Sequence, residues 1–241
     1  MCTVSYIPGG KQVIITSNRD EKTVRPPAIP PQKFETAFGS IVYPIDAKAG
    51  GTWFVVNEKG DTGVLLNGAF EKHIPKPSYR ASRGSILPKL FNSGNILEAL
   101  HGFDFTGIEN CTLVLFIEGK LYECVWDGRD ARINRLKENQ AYIWSSVTLY
   151  DEVMIAARKA WFQKFLNANP YPTQAAVIDF HTHTGKGNSQ YGLQMNRGNQ
   201  MLTVSITSVA ISENEAQLLY NDCMQKKQVK QILAREIHEN V

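Results

Sequence analysis

The start of the chain constrains the fold most. Cys2-Thr3-Val4-Ser5-Tyr6-Ile7 and Gln12-Val13-Ile14-Ile15-Thr16 are strand-like runs separated by Pro8-Gly9-Gly10-Lys11. Gly-Gly between apolar runs signals a hairpin, because the favoured two-residue turns want positive φ at their central positions. With Gly9-Gly10 as the central pair, Cys2 is expected opposite Ser17, and Asn18-Arg19-Asp20-Glu21 emerges beside the chain start. Local structure alone then gathers a thiol, a guanidinium and two carboxylates.

Cysteine at position 2 has a specific chemical use. A small second residue permits removal of the initiator methionine, which leaves thiol and α-amine on one residue. Their ordinary pKa values, about 8.5 and about 7.7–8.0, let either exchange protons near neutrality. That is the arrangement of an N-terminal nucleophile, with the amine as base. Arg19 would lower the thiol pKa and Asp20 would orient the amine. The residues alone also admit a blander reading, in which Cys2 is an edge-strand residue and 18–21 a solvated loop.

Four motifs add to the spacing. Met1-Cys2-Thr3, Ser17-Asn18-Arg19-Asp20-Glu21, Gly50-Gly51-Thr52-Trp53 and Leu66-Asn67 follow one another within the first 70 residues, and Tyr79-Arg80-Ala81-Ser82-Arg83-Gly84 extends the series. In this order they resemble the NRDE family, the transport-and-Golgi-organisation-like proteins, whose relatives have the fold of N-terminal-nucleophile hydrolases. The resemblance implies an α+β, four-layer αββα domain with two stacked antiparallel sheets. It implies Cys2 as nucleophile, Arg19 and Asp20 as its tuning and orienting groups, and Asn67 as an oxyanion donor. Asn18, Trp53, Ser146 and Arg197 fall to the substrate side. Ser146 stands where the resembled hydrolases carry an Asn, and a hydroxyl does not reproduce an amide's paired groups. Their Arg at the start of a later strand is replaced here by Gln200-Met201, with Arg197 a few residues before as the nearest substitute.

Composition narrows the classes. In 241 residues the hydrophobic share is 43% and the charged share 20%, enough for a core and against disorder. A net charge of +3 with interspersed signs does not call for nucleic acid or an anionic membrane. No apolar run approaches the ~20 residues of a membrane span, and the start lacks a signal-peptide pattern. Cys2, Cys111, Cys124 and Cys223 show no CxxC spacing, so buried thiols and a reducing, cytoplasmic setting are expected. One domain over 1–241 is expected.

Along the chain, Arg25-Pro26-Pro27-Ala28-Ile29-Pro30-Pro31 reads as a stiff crossing loop. Strands are expected at 39–43, 52–56, 62–66, 111–117, 121–126, around Ile133 and Leu136, and at 142–144. Helices are expected at 79–91, with Ser78 as cap, at 95–101 and at 152–166. In the last helix Ala156, Ala157, Ala160, Trp161 and Phe165 read as its packing side. Leu202 to Ile211 is a strand with Leu202, Val204 and Ile206 on one face, and 216–220 an edge strand; 225–239 is undecided between helix and strand. Phe180-His181-Thr182-His183-Thr184 reads as a strand whose two His share a face, half of a metal site. No supporting acidic or His spacing completes that site, so no metal and no cofactor are expected.

The expected activity is cleavage of a carbon–nitrogen amide bond in a small or acyl-chain substrate, through an acyl-thioester on Cys2 that water releases. The alternative is a non-catalytic protein that binds or moves a lipid, acyl-thioester or porphyrin in the same pocket.

Overall fold

The computed structural model describes residues 3–188, 190 and 192–235; Cys2 and the expectations attached to it lie outside the described residues. The opening hairpin forms from β1 (Thr3–Gly9) and β2 (Gln12–Lys22), with its turn one residue later than expected. Gly9 pairs with Gln12 and Val4, not Cys2, stands opposite Ser17. Gly10 carries φ 58° and Lys11 has no positive φ, so this turn needs one glycine, at its first central position. The register moves by two residues, which preserves the expected faces but puts Thr3 opposite Asn18.

The chain then crosses to a second sheet and builds it strand by strand. β3 (Ile29–Thr36), β4 (Gly39–Ile45), β5 (Phe54–Asn57), β6 (Thr62–Asn67), β7 (Cys111–Ile117), β8 (Lys120–Trp126) and β9 (Ala131–Leu136) are neighbours in chain order, all antiparallel. β3 overturns the expected crossing loop: Pro30 and Pro31 are accommodated because the strand is an edge, with its register broken between Ile29 and Gln32. Between β6 and β7 the expected long helix shortens to a 3₁₀ turn, Arg83–Ser85, and α1 (Ile86–Phe91), followed by α2 (Ile96–His101). Ser82, not Ser78, caps the turn. Pro88 explains the shortening, since proline fits only the first turn of a helix.

The chain returns to the first sheet with β10 (Tyr142–Ser145), which pairs with β1. Two helices follow, α3 (Glu152–Ala168) and α4 (Gln174–His183), and then β11 (Asn196–Arg197), β12 (Met201–Ile211), β13 (Glu215–Asp222) and β14 (Lys227–Ala234). The strand order is β10-β1-β2-β12-β13-β14, with β11 against β12. Thus β13 is interior, not an edge, and β14 resolves the undecided segment as the edge strand. In β12 the register shifts between Thr203 and Ser205, so Leu202 pairs with Glu21 and Ile206 with Asn18, on opposite faces. The expected common face of Leu202, Val204 and Ile206 therefore does not exist. The His pair lies on helix α4, where Val177, Phe180 and His181 are buried at helical spacing and Thr173 caps the start.

These elements make four layers. Val4, Tyr6, Ile15, Val209 and Leu218 of the first sheet pack against Phe54, Val56, Val64 and Val114 of the second. α1 and α2 cover the outer face of the second sheet, and Phe162, Val177 and Phe180 of α3 and α4 cover Ile7 and Ile14 of the first. The architecture is α+β with two stacked antiparallel sheets, as the motifs implied.

The space between the sheets changes character along the strands. Val13 pairs with Ile211 and Ile15 with Val209, but the next rows are Ser17 with Thr207 and Arg19 with Ser205. The apolar core thus gives way to polar groups toward the C-terminal end of β2. Ser17 Oγ, Thr207 Oγ1 and Trp53 Nε1 are buried with no hydrogen-bond partner among the described residues. A buried hydroxyl without a partner is destabilising by about 1–3 kcal/mol. Thr207→Val should therefore raise the unfolding free energy in urea by about 1 kcal/mol; a loss of that size would show that the hydroxyl is satisfied in solution.

Candidate active site

The polar end of β2 is divided by the pleat of the strand. Side chains alternate between faces, so Arg19 and Glu21 point between the sheets while Asn18 and Asp20 point toward α3 and α4. Arg19, Glu21, Trp53 and Asn67 line one hollow of about 220 Å³, together with Arg25, Asp46 and residues of the 82–84 turn. Asn18 and Asp20 sit on the opposite side of the strand, in a separate buried network.

In the hollow the organising group is Asp46. Its carboxylate accepts from Arg19 Nη2 (2.6 Å) and from Arg25 Nε and Nη2 (2.8 and 2.9 Å). It also accepts from the amides of Lys48 and Ala49, at 3.0 and 2.9 Å. Burial pushes its pKa up, but the Arg25 hydrogen bonds, the Ala49 amide and the charges of both guanidiniums outweigh that and hold it below the usual carboxylate range. Arg19 is 4% exposed, and its guanidinium lies over the Trp53 ring at 4.4 Å. The loop around Asp46 depends on close backbone approach at Gly51. A Cβ there would sit 2.5 Å from the Gly84 carbonyl carbon, and the adjacent Thr52 N–H donates to Gly84 O.

Asn67 closes β6 and lines both this hollow and an adjoining one of about 340 Å³. Gly68 follows it at φ 88°, and a Cβ there would meet Val147 at 2.8 Å, so the turn requires glycine. Ser146 donates its hydroxyl to Asn67 O at 2.7 Å and thereby holds the Asn67 backbone. The 340 Å³ hollow is mixed: Leu66, Phe70, Val125, Ile143, Trp144 and Ile155 share its wall with Thr112, Glu123, Ser145 and Lys159. A third hollow, about 780 Å³, shares Phe70, Val147 and Ile155 with it and contains Arg197. Arg197 is bound to Leu149 O at 2.9 Å and faces the Tyr150 ring, so it stands in this third hollow and not beside Arg19.

Behind β2 the network is dense. Asn18 Nδ2 donates to the carbonyls of His181 and Leu193, which leaves its Oδ1 to accept from His181 Nδ1 at 2.7 Å. His181 Nε2 then accepts from Ser5 Oγ, also at 2.7 Å. This Ser–His–Asn chain has the connectivity of a nucleophile and base, but all three side chains are fully buried and none lines the hollows described above. It ties strands to helix. Burial, with the Arg158 charge adding to it, lowers the His181 pKa to about 3. Asp20 accepts from the hydroxyls of Tyr150 and Thr203. His183 points outward and pairs with Asp179 at 2.8 Å, so the two His share no face and the expected half-site for a metal is not formed. Among the described residues, no three His, Cys, Asp or Glu side chains converge.

Cys111 and Cys124 are buried free thiols whose pKa values burial pushes up to about 12; Cys223 is held at about 11, by burial first and by Asp222 next. None of these three is poised as a thiolate. The residues that sequence reading missed are Asp46, Arg25, Tyr150 and Arg158. Asp46 carried a weak signal as the acidic residue opening a glycine-rich turn. Arg158 carried a stronger one: it lies four residues from both Met154 and Phe162, on the side of α3 that turns inward.

The buried neutral His181 has a measurable consequence. Its folded pKa is depressed below the ordinary value, so its contribution to stability is complete above about pH 6.5 and is lost as pH falls toward about 3. Stability should decline by about 1.4 kcal/mol per pH unit in that window from this group. Equilibrium unfolding of His181→Gln against pH should lack this component; an unchanged acid limb would place the proton elsewhere.

The family described as Transport and Golgi organisation 2 matches residues 1–112. No curated protein matches the chain in sequence. Among solved structures, the Caenorhabditis elegans N-acylethanolamine-hydrolyzing acid amidase ortholog is similar with a TM-score of 0.60 at 13% identity, over 86% of this chain and 92% of that one. An alanine variant, at its second-position cysteine, of conjugated bile acid hydrolase from Clostridium perfringens gives 0.52 at 10% identity, over 99% and 98%. An arginine-to-leucine variant of the same hydrolase gives 0.52 at 11%, over all of both chains. At these identities the likeness is one of fold, that of the N-terminal-nucleophile hydrolases. No helix among the described residues is long and apolar enough to cross a membrane.

Proposed function

We propose that this chain is an N-terminal cysteine amidohydrolase acting on a small or acyl-chain amide; the match of residues 1–112 to the Transport and Golgi organisation 2 family and the fold shared with the N-terminal-nucleophile hydrolases support the reading. The observation that carries the reading is the gathering of Arg19, Trp53 and Asn67 around one hollow at the C-terminal end of β2. Thr3, the first described residue, stands opposite Asn18, next to Arg19 along β2. The even-numbered residues Val4 and Tyr6 face the space between the sheets, the side on which Arg19 lies.

The reading requires loss of Met1, so that Cys2 presents a free amine. The amine takes the thiol proton and the sulfur attacks the amide carbon. The Asn67 side-chain N–H donates to the oxyanion as it forms. Collapse breaks the C–N bond, and the departing amine leaves with the proton held by the α-ammonium. Water then adds to the thioester, giving up its proton to the α-amine, and the thiol is restored as the acid leaves. The 340 Å³ hollow that shares Asn67 offers Leu66, Phe70, Val125, Ile143 and Trp144 as the wall against which an acyl portion would lie. The reading takes all 241 residues as one working unit, and the three described free thiols fit a reducing cytoplasm.

One observation favours the second reading, a protein that binds or moves a lipid, acyl-thioester or porphyrin without turnover. The Ser146 hydroxyl is spent on Asn67 O and lies 2.8 Å from Thr148 Oγ1, so it supplies no further oxyanion donor. The two readings separate on the processed N-terminus. Intact mass should show Met1 removed, and N-acyl amides should be hydrolysed by the wild type and by neither Cys2→Ala nor a Met1-retaining form. Turnover that survives in Cys2→Ala would remove Cys2 from the chemistry, and tight ligand retention without turnover in the processed wild type would favour the binding reading.

A further inference from the structure

α3 is a largely solvated helix with a charged residue at its most buried point. Only Arg158 and Phe162 of this helix are buried, and Arg158 is 0% exposed. Burying a guanidinium is costly by several kcal/mol even after relaxation, and well-packed apolar residues in such places are often as stable or more so. Stability alone is therefore a poor account of this residue.

Its contacts point to another account. Arg158 Nη1 donates to Thr3 Oγ1 at 2.5 Å and Nη2 to Gly192 O at 2.8 Å. The guanidinium carbon Cζ lies over the Tyr150 ring, 3.5 Å from its centre, and the Tyr150 hydroxyl donates to the Asp20 carboxylate. One side chain thus grips the residue that follows Cys2 and, through a stacked ring, the acid that follows Arg19. We infer that Arg158 is a positioning residue for the N-terminal nucleophile: from α3 it fixes the chain start through Thr3 and the acid through Tyr150. The inference rests on the amidohydrolase reading and adds a group that touches neither the Arg19 hollow nor the substrate.

The geometry says which replacements matter. Lysine keeps the charge but offers a point donor in place of a planar fork, so it cannot hold Thr3, Gly192 and the ring together. Thr3→Ser keeps the hydroxyl that Arg158 grips, and Thr3→Val removes it at nearly constant volume. The test measures the rate of Cys2 alkylation by iodoacetamide against pH, read peptide by peptide on the processed chain, beside thermal unfolding. In the wild type Cys2 should alkylate as an activated thiol, well below the ordinary pKa of about 8.5. Arg158→Lys and Thr3→Val should unfold cooperatively yet show the profile moved up toward that ordinary value, with the rate at pH 7 reduced about tenfold. Thr3→Ser should retain the wild-type profile, which separates the lost hydrogen bond from a general loosening. Should Arg158→Lys fail to fold, the Thr3 pair decides the question. An activated wild-type profile that both Thr3→Val and any folded Arg158→Lys leave in place overturns this inference alone. An ordinary profile in the wild type overturns the amidohydrolase reading and this inference with it.

Discussion

The grip of the Asp46 carboxylate on Arg19 is the contact on which the candidate site depends. Arg19 lies in the space between two hydrophobic sheets, almost without solvent, where an uncompensated guanidinium would be strongly destabilising. Asp46 comes from the other sheet's side, on the turn that leaves β4, and carries Arg25 as a second cation. The pair therefore joins the end of β2 to the 46–51 turn, and that turn in turn lies against Gly84. The end of β2, the glycine-rich loop and the 3₁₀ turn are brought to one hollow by this arrangement.

Strand alternation then assigns the neighbouring residues their tasks. A five-residue polar run in a solvated loop would scatter its side chains, but the same run inside β2 sends them to two fixed sides. Arg19 and Glu21 meet the hollow. Asn18 and Asp20 meet the helices, where His181, Tyr150, Thr203 and Arg158 engage them or the strand beside them. The front of β2 can thus carry polar groups into the hollow while its back is tied by hydrogen bonds. A site built on regular strands with the supporting side chains locked behind it is the arrangement that precise positioning calls for.

Much of this was legible in the sequence, for reasons that are local. The two-sheet layering was implied by the resemblance to the NRDE family, whereas the opening hairpin and the β7–β8 hairpin follow from apolar runs on either side of glycine-bearing turns. Glu118-Gly119, both with positive φ, is the clearest case. The NRDE motif lies at the end of β2, where Arg19 and Glu21 reach the hollow. What the sequence concealed is nonlocal. Asp46 acquires its importance only when β4 brings it against Arg19, 27 residues earlier. Phe180 to His183 has apolar and polar residues in a pattern that suits a short strand or a helix, and packing of Val177 and Phe180 on Ile7 and Ile14 decides for the helix. Pro30 and Pro31 suggested a loop because edge position, which makes them tolerable in a strand, is a property of the sheet. Arg158 is the instructive miss: the sequence put Ala156, Ala157, Ala160, Trp161 and Phe165 on the packing side, whereas Ala156 and Ala160 are exposed and Arg158 and Phe162 are the buried residues of the helix.

The central claim, that Asp46 and Arg19 hold the site together as a buried, mutually dependent pair, is tested most directly by a double-mutant cycle. Unfolding free energies of wild type, Arg19→Gln, Asp46→Asn and the double variant give the coupling. Removal of either partner should be strongly destabilising and the second removal should restore part of the loss, for a coupling of about 1.5 kcal/mol or more. Additive effects, with coupling below about 0.5 kcal/mol, would mean that the two side chains do not depend on each other and would contradict the account.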